Sequence, residues 1–235
     1  MIVGATDTNS RRLASADLIA AFDLPAAALV NQRVPKKLLV ENGAPTTADR
    51  KLIQDGIEEI TWVAALKPAG RPFDSYDVLG MIPAPTADDP PEVHARYQVI
   101  REGKATGIGG DTYYGYRDDL RDFVAAQLSA FGTPCDTHAI RLVPGLLQET
   151  LHVDAPVAFA HIDVDWYDPV RTALARILPW LSPGGSVVLD DYHDWGGCRR
   201  AVDEFLASAG DAFEASSECG PLRLQRRTGL TPAVP

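Results

Sequence analysis

Four aspartates that follow two short apolar runs carry the strongest chemical signal in this chain. VAFAHI, starting at Val157, leads into Asp163 and Asp165, and SVVL, starting at Ser186, leads into Asp190 and Asp191. Carboxylates gathered at one place suit a hard divalent cation such as Mg²⁺, which takes oxygen ligands and keeps waters that a substrate oxygen can replace. Without a cation, an adjacent Asp-Asp pair is costly, because like charges raise each other's pKa. Spacing alone leaves two readings open: Asp163, Asp190 and Asp191 hold a metal, or they only solvate the ends of strands.

The elements that must position these carboxylates can be read around them. Both runs are short, apolar and rich in small or β-branched residues, as strands buried on both faces of a parallel sheet are. A helix fits between them, with Asp168 as its N-cap, Pro169 at its first position and Val170, Leu174, Ile177, Leu178 and Leu181 on one face. Ser182-Pro183-Gly184-Gly185 then stops it. In a right-handed crossover the two strands run parallel, so both acidic ends emerge at one edge of an α/β sheet, where such sheets bind ligands.

The rest of the composition narrows the partners. At 235 residues there is room for one sizeable α/β domain, and a formal charge of -10 argues against nucleic acid or an anionic membrane surface as the main partner. Cys135, Cys198 and Cys219 have no metal-type spacing and suggest no disulfide framework, so a reducing cytoplasmic compartment is the natural expectation. Asp17 and Asp23 interrupt the apolar stretch after Arg11 and Arg12, which speaks against a signal peptide or a spanning helix.

Taken in order, residues 1 to about 12 read as a frayed start. Ser15 to Val30 suits a short helix, and Leu38 to Leu66 reads as strand, loop, helix, strand, ending in the β-branched Ile60-Thr61-Trp62-Val63. Phe73-Asp74-Ser75-Tyr76 follows, and its aspartate is either a ribose-binding carboxylate of the kind found in nucleotide-binding βαβ units or a solvated loop residue. Pro83 to Gly110, rich in Pro, Gly and acids, reads as a substrate-side loop or lid with a short helix from Glu92 to Ile100, or else as a disordered insertion. Asp118 to Phe131 suits a helix, Ala139 to Val143 a strand, Leu146 to Thr150 a short helix and Gly197 to Ala209 an amphipathic helix. FEASSEC and LRLQRR form a closing hairpin.

Several separate segments also match one family in order and spacing. HIDVDWYD, LSPGG, DDY and GCRRAVDEF, preceded by FDSYDVLGMIPAP and LVPGLLQETL, resemble the macrocin O-methyltransferase family, metal-dependent enzymes that methylate sugar hydroxyls of antibiotics with S-adenosylmethionine. The resemblance covers about residues 72 to 206. It implies a class I methyltransferase fold, Rossmann-like and doubly wound, with a mostly parallel seven-stranded sheet and an antiparallel C-terminal hairpin. The domain would span residues 71–228, after an N-terminal extension of 1–70 and before a tail of 229–235.

Carried over by position, the resemblance places the metal, Mg²⁺, on Asp163, Asp190 and Asp191, with Asp163 also as general base. Asp74 and Ser75 would contact the adenosine ribose of S-adenosylmethionine, and Gly145 with Leu146 would lie near the adenine. Asp165 and Tyr167 would support the site, and His193 would contact substrate unless it is simply solvated. The acceptor would be a glycoside-like small molecule. Members of this family often associate, which makes a homo-oligomer an expectation.

The N-terminal part departs from that pattern. Where the family has a glycine-rich turn after its first strand, this chain offers Val40-Glu41-Asn42-Gly43-Ala44-Pro45, so Glu41 and Gly43 would be the cofactor contacts of a degenerate first βα unit. The stretch VNQRVPKKLLVENGAPTTADRKLIQDGIEEITWVAALKP is also similar to a bacterial domain family of unknown function, which implies the alternative of an unrelated N-terminus joined to a methyltransferase fold that lacks its first strand and glycine-rich loop. Two functions of different class therefore stand: an active O-methyltransferase, and a non-catalytic or impaired methyltransferase-like binding module. A third, an Mg²⁺-dependent enzyme acting on phosphorylated ligands, is disfavoured by the lack of a P-loop.

Overall fold

Phe73-Asp74-Ser75-Tyr76-Asp77 alternates its side chains between two hydrophobic clusters, and this strand shows how the molecule is layered. Phe73 packs with Leu120, Val124, Leu128 and Ile140, whereas Tyr76 packs with Ile162, Val170, Leu174 and Val202. A strand buried on both faces needs helices on both sides, which is the doubly wound arrangement. The computed structural model describes residues 2–5, 73–107, 112–130, 134–137, 139–217 and 221–229.

Among the described residues the elements run β1 (Ile2–Ala5), β2 (Phe73–Asp77), α1 (Pro91–Arg101), α2 (Leu120–Ala130), β3 (Ile140–Pro144), α3 (Leu147–Thr150), β4 (Val157–Ile162), α4 (Tyr167–Ile177), β5 (Leu181–Leu189), α5 (Gly196–Ala209), β6 (Phe213–Ser216) and β7 (Leu222–Arg226). They form one seven-stranded sheet in the order β3-β2-β1-β4-β5-β7-β6. β2 pairs parallel with β3, and β4 parallel with β5. β1 is antiparallel to both β2 and β4, while β7 is antiparallel to both β5 and β6. Five of the seven strands therefore share a direction, and the expected C-terminal hairpin is present.

Three expectations change. Residues 2–5 are not a frayed end but an interior strand, third of the seven, with Ile2 opposite Ser75 on one side and His161 on the other. Backbone pairing explains this: β2 and β4 would otherwise each present an open edge. Phe73 to Asp77, read as a segment after a strand, is itself the strand, whereas the strands and helices expected between Ser15 and Leu66 lie outside the described residues. The expected stop Ser182-Pro183-Gly184-Gly185 belongs to β5; α4 ends at Ile177 and a 3₁₀ turn, Leu178–Trp180, bridges the two.

The remaining elements fall within a residue or two of their expected places. α4 turns Val170, Ala173, Leu174 and Ile177 into the larger core and packs against α5. Full burial of a leucine such as Leu174 contributes roughly 1.5–3 kcal/mol. No described helix is long and apolar enough to cross a membrane.

Candidate active site

Four strands that point the same way end at one cavity. Asp77 closes β2, Gly145 follows β3, Asp163 follows β4 and Asp190 follows β5, and all four line a space of about 530 Å³. Much of the remaining wall comes from Leu79, Gly80, Ile82, Pro83 and Ala84 and from the aromatic residues Tyr76, Tyr113, Tyr114, Phe123 and Trp166. One end of the cavity is thus acidic, and the opposite wall is apolar and aromatic.

At the acidic end Asp163, Asp165 and Asp191 each offer a carboxylate oxygen within 4.8 Å of the others. The trio differs by one member from the expected one: Asp165 joins Asp163 and Asp191, while Asp190 lines the cavity beside them. The backbone makes this possible. Asp165 sits at φ 37°, a left-handed conformation that aspartate tolerates better than most residues, and its N–H donates to Asp191 Oδ2 at 3.2 Å. Asp190 to Tyr192 form a 3₁₀ turn that buries the Asp191 carboxylate, whereas Asp163 is exposed.

Crowded acids at a sheet edge hold their protons. Burial first, then the charges of Asp165 and Asp163, push the Asp191 carboxyl up to about 10, and burial with Asp163 pushes Asp165 up to about 6. A divalent cation would supply the charge that this oxygen-donor set lacks, so the residues fit such an ion. Behind them His161 is buried on β4, where burial lowers it to about 4 and keeps it neutral. The buried Cys198 thiol on α5 is pushed up by burial and then by Asp191, which makes it a poor nucleophile.

The other end is built by the tips of β2 and β3. Gly145 donates its N–H to the Asp77 carbonyl at 2.9 Å, and Asp77 Oδ1 accepts the N–H of Leu79 at 2.5 Å. Burial pushes the Asp77 carboxyl above its usual range. Gly145 has φ 130°, and a Cβ there would lie 2.7 Å from Thr150 Cγ2, so only glycine fits this turn. Leu146, 37% exposed, offers an apolar ledge at the cavity mouth.

Of the expected cofactor contacts, Gly145 and Leu146 line the cavity, whereas Asp74 and Ser75 do not. Asp74 is engaged with Arg141 at 2.6 and 2.7 Å, and Ser75 is buried within β2. Because β2 runs on to residue 77, the carboxylate at its mouth is Asp77, which sequence reasoning missed; the acid four residues after Phe73 was its only signal. Glu41 and Gly43 lie outside the described residues. Tyr167 turns its hydroxyl to Glu204 at 2.6 Å, and His193 bonds Ser217 at 2.9 Å rather than lining the cavity.

The expected cap of α4 also differs. Asp168 lies inside the first turn, bonded to Arg171 at 3.1 Å, and the N–H of Tyr167 is taken instead by Asp89 Oδ1 at 2.7 Å.

Comparison with known proteins bears on this geometry. Residues 121–211 match the family model described as Macrocin-O-methyltransferase (TylF), so most of α2 through α5 carries its pattern. Over that segment the chain is similar to the macrocin O-methyltransferase family. Within it, the tetracenomycin-C rhamnosyl 4'-O-methyltransferase of Streptomyces olivaceus is 38% identical over 90 residues, 37% of this chain and 33% of that protein. Demethyldecarbamoylnovobiocin O-methyltransferase of Streptomyces niveus is 37% identical over 71 residues, 29% of this chain and 27% of that protein. The matches thus span about a third of the length of these curated relatives.

The fold extends the likeness beyond the segment. The O-methyltransferase NovP superposes with a TM-score of 0.56 at 23% identity, covering 74% of this chain and 69% of its own. The calicheamicin methyltransferase CalS11 gives 0.54 at 18% identity, covering 96% and 99%. The fold is therefore of the methyltransferase class. Residues 22–76 match a different family model, a domain of unknown function, DUF4391.

Proposed function

We propose that the chain is a metal-dependent, S-adenosylmethionine-dependent O-methyltransferase acting on a sugar hydroxyl of a glycosylated small molecule. The observation that carries the proposal is a single cavity lined by Asp77, Gly145, Asp163 and Asp165, with the buried Asp191 carboxylate within 4.8 Å of the last two. The matched segment and the names of the curated relatives, both of which are O-methyltransferases, support it.

Each end has its task. Asp77 is placed to accept hydrogen bonds from ribose hydroxyls, and Leu146 offers the adenine an apolar surface. Asp163, Asp165 and Asp191 would hold Mg²⁺. Bound S-adenosylmethionine supplies an electrophilic methyl on sulfonium, and the bound cation supplies positive charge that lowers the pKa of the acceptor hydroxyl. Asp163, the exposed member of the trio, takes the hydroxyl proton on a carboxylate oxygen. The oxygen's electron pair forms the bond to the methyl carbon as the carbon–sulfur bond breaks, its electrons leaving on sulfur. The aromatic wall excludes water and aligns the acceptor, which is most of what a methyl transfer requires.

One observation favours the non-catalytic reading instead. The slot between β2 and β4 is filled by β1 running opposite to both, so the cavity edge there meets the start of a strand rather than a glycine-rich turn after one. The two readings part on one experiment: methyl transfer to a glycosylated acceptor with and without chelator. Cation-dependent product formation supports the enzyme; no product at any cation concentration supports the binding module.

A further inference from the structure

The cavity is bordered by a loop from residue 78 to residue 90, and one buried carboxylate of that loop reaches the acidic turn. Asp89, only 6% exposed, accepts the Tyr167 N–H on Oδ1 at 2.7 Å and the Thr86 N–H on Oδ2 at 2.9 Å. One carboxylate thereby joins the loop to the first turn of α4, two residues after Asp165. The glycine pair that opens α5 is shaped around it: a Cβ on Gly197 would lie 2.5 Å from Asp89 Oδ1, and one on Gly196 would lie 2.9 Å from Pro90 Cγ. Arg200 of α5 donates to the Asp88 carbonyl at 2.9 Å on the outer side, and Trp166 Nε1, in the cavity wall, donates to the Pro83 carbonyl at 3.0 Å.

We propose that Asp89 is a positioning residue that ties this loop to the turn carrying Asp163 and Asp165, and so sets the geometry of the carboxylate trio. The physical case rests on connectivity. The Asp163–Trp166 turn contains a left-handed residue, Asp165, and leaves a helix N-terminus with unpaired N–H groups. α4 has no side-chain cap of its own, so the carboxylate from the loop replaces it and favours the helix dipole as well. Without Asp89, Tyr167 loses its partner, the Asp165 backbone is free to relax, and the loop keeps its contacts to Trp166 and Arg200. The cofactor end is held at the other end of the same loop by the Leu79 N–H to Asp77 and the Gly145 N–H to the Asp77 carbonyl, bonds that Asp89 does not make, and it keeps its geometry.

This inference rests on the methyl-transfer reading, and its test separates the two. In the full chain, Asp89→Ala is compared with the unsubstituted protein by Mn²⁺ affinity in electron paramagnetic resonance, by S-adenosylhomocysteine affinity in calorimetry and by hydrogen exchange. Mn²⁺ affinity is expected to fall roughly tenfold or more, as for other residues that orient metal ligands. S-adenosylhomocysteine affinity should be unchanged, with faster exchange at the Thr86 and Tyr167 amides. Asp89→Asn, which keeps one acceptor oxygen, should fall between. Should Asp89→Ala not fold, Gly197→Ala displaces the same carboxylate and should give the same split. Unchanged Mn²⁺ affinity, or equal losses for both probes, overturns the proposal. An unsubstituted chain that binds neither probe overturns the methyl-transfer reading instead, and unchanged exchange at Thr86 and Tyr167 then overturns the latch too.

Discussion

Asp163, Asp165 and Asp191 share a space in which three full negative charges would repel one another strongly, and the pH behaviour of the protein should report it. Asp165 is raised to about 6 and Asp191 to about 10, both above the ordinary aspartate range. Above pH ~4 the unfolded chain therefore releases protons that the folded state keeps, so stability contributed by these groups is greatest in acid and is lost as pH rises. His161, lowered to about 4, acts oppositely, contributing stability above its unfolded pKa that is lost as pH falls through 4. Comparing chelated and Mg²⁺-loaded protein isolates the carboxylates. Mg²⁺ should raise the melting temperature much more at pH 8 than at pH 5; an equal rise would contradict cation binding at this trio. Asp163→Ala should lower kcat by roughly 10²–10⁴ while leaving cofactor affinity intact, since a general base contributes about that much. At this scale the sequence was legible where acids cluster, because HIDVD and DDY announce carboxylates at strand ends. It was not legible for Asp89, whose partner Tyr167 lies 78 residues away, nor for Asp77, whose place depends on where β2 stops.

The strand-helix-strand unit from β4 to β5 holds the acidic edge, and its packing makes a direct expectation. Leu174 on α4 is fully buried in the larger core, so Leu174→Ala should destabilise the chain by ~2–5 kcal/mol, read as a lower urea midpoint with an unchanged slope. Destabilisation below 1 kcal/mol would mean that α4 is not seated as described. Hydrophobic periodicity located α2, α4 and α5, and apolar runs located β3 to β5, since burial of one helix face or of a whole strand leaves a pattern in the residues themselves. β1 left no such pattern. Ile2–Ala5 is held by backbone pairing on both sides, and main-chain hydrogen bonds do not select residue types strongly enough to be read from four positions. The cap of α4 was misassigned to Asp168 for a related reason: a local aspartate is visible in sequence, whereas a carboxylate delivered from another loop is not.

Across the whole molecule, a methyltransferase-class sheet places its cavity where the shared direction of β2 to β5 requires, and the fold was legible from the same segments that matched the family. The match to the methyltransferase family runs from residue 121 to 211 and residues 22–76 match another domain family, so Asp77 lies between the two matched segments. The most direct test is calorimetric titration of S-adenosylmethionine into the full chain, with Asp77→Ala as its partner. The account predicts one site per chain with a Kd between about 1 μM and 1 mM, in the range where enzyme KM values fall. It also predicts roughly tenfold weaker binding by Asp77→Ala, the loss expected for a charged hydrogen-bond acceptor. No binding at millimolar S-adenosylmethionine, or equal binding by Asp77→Ala, would contradict it.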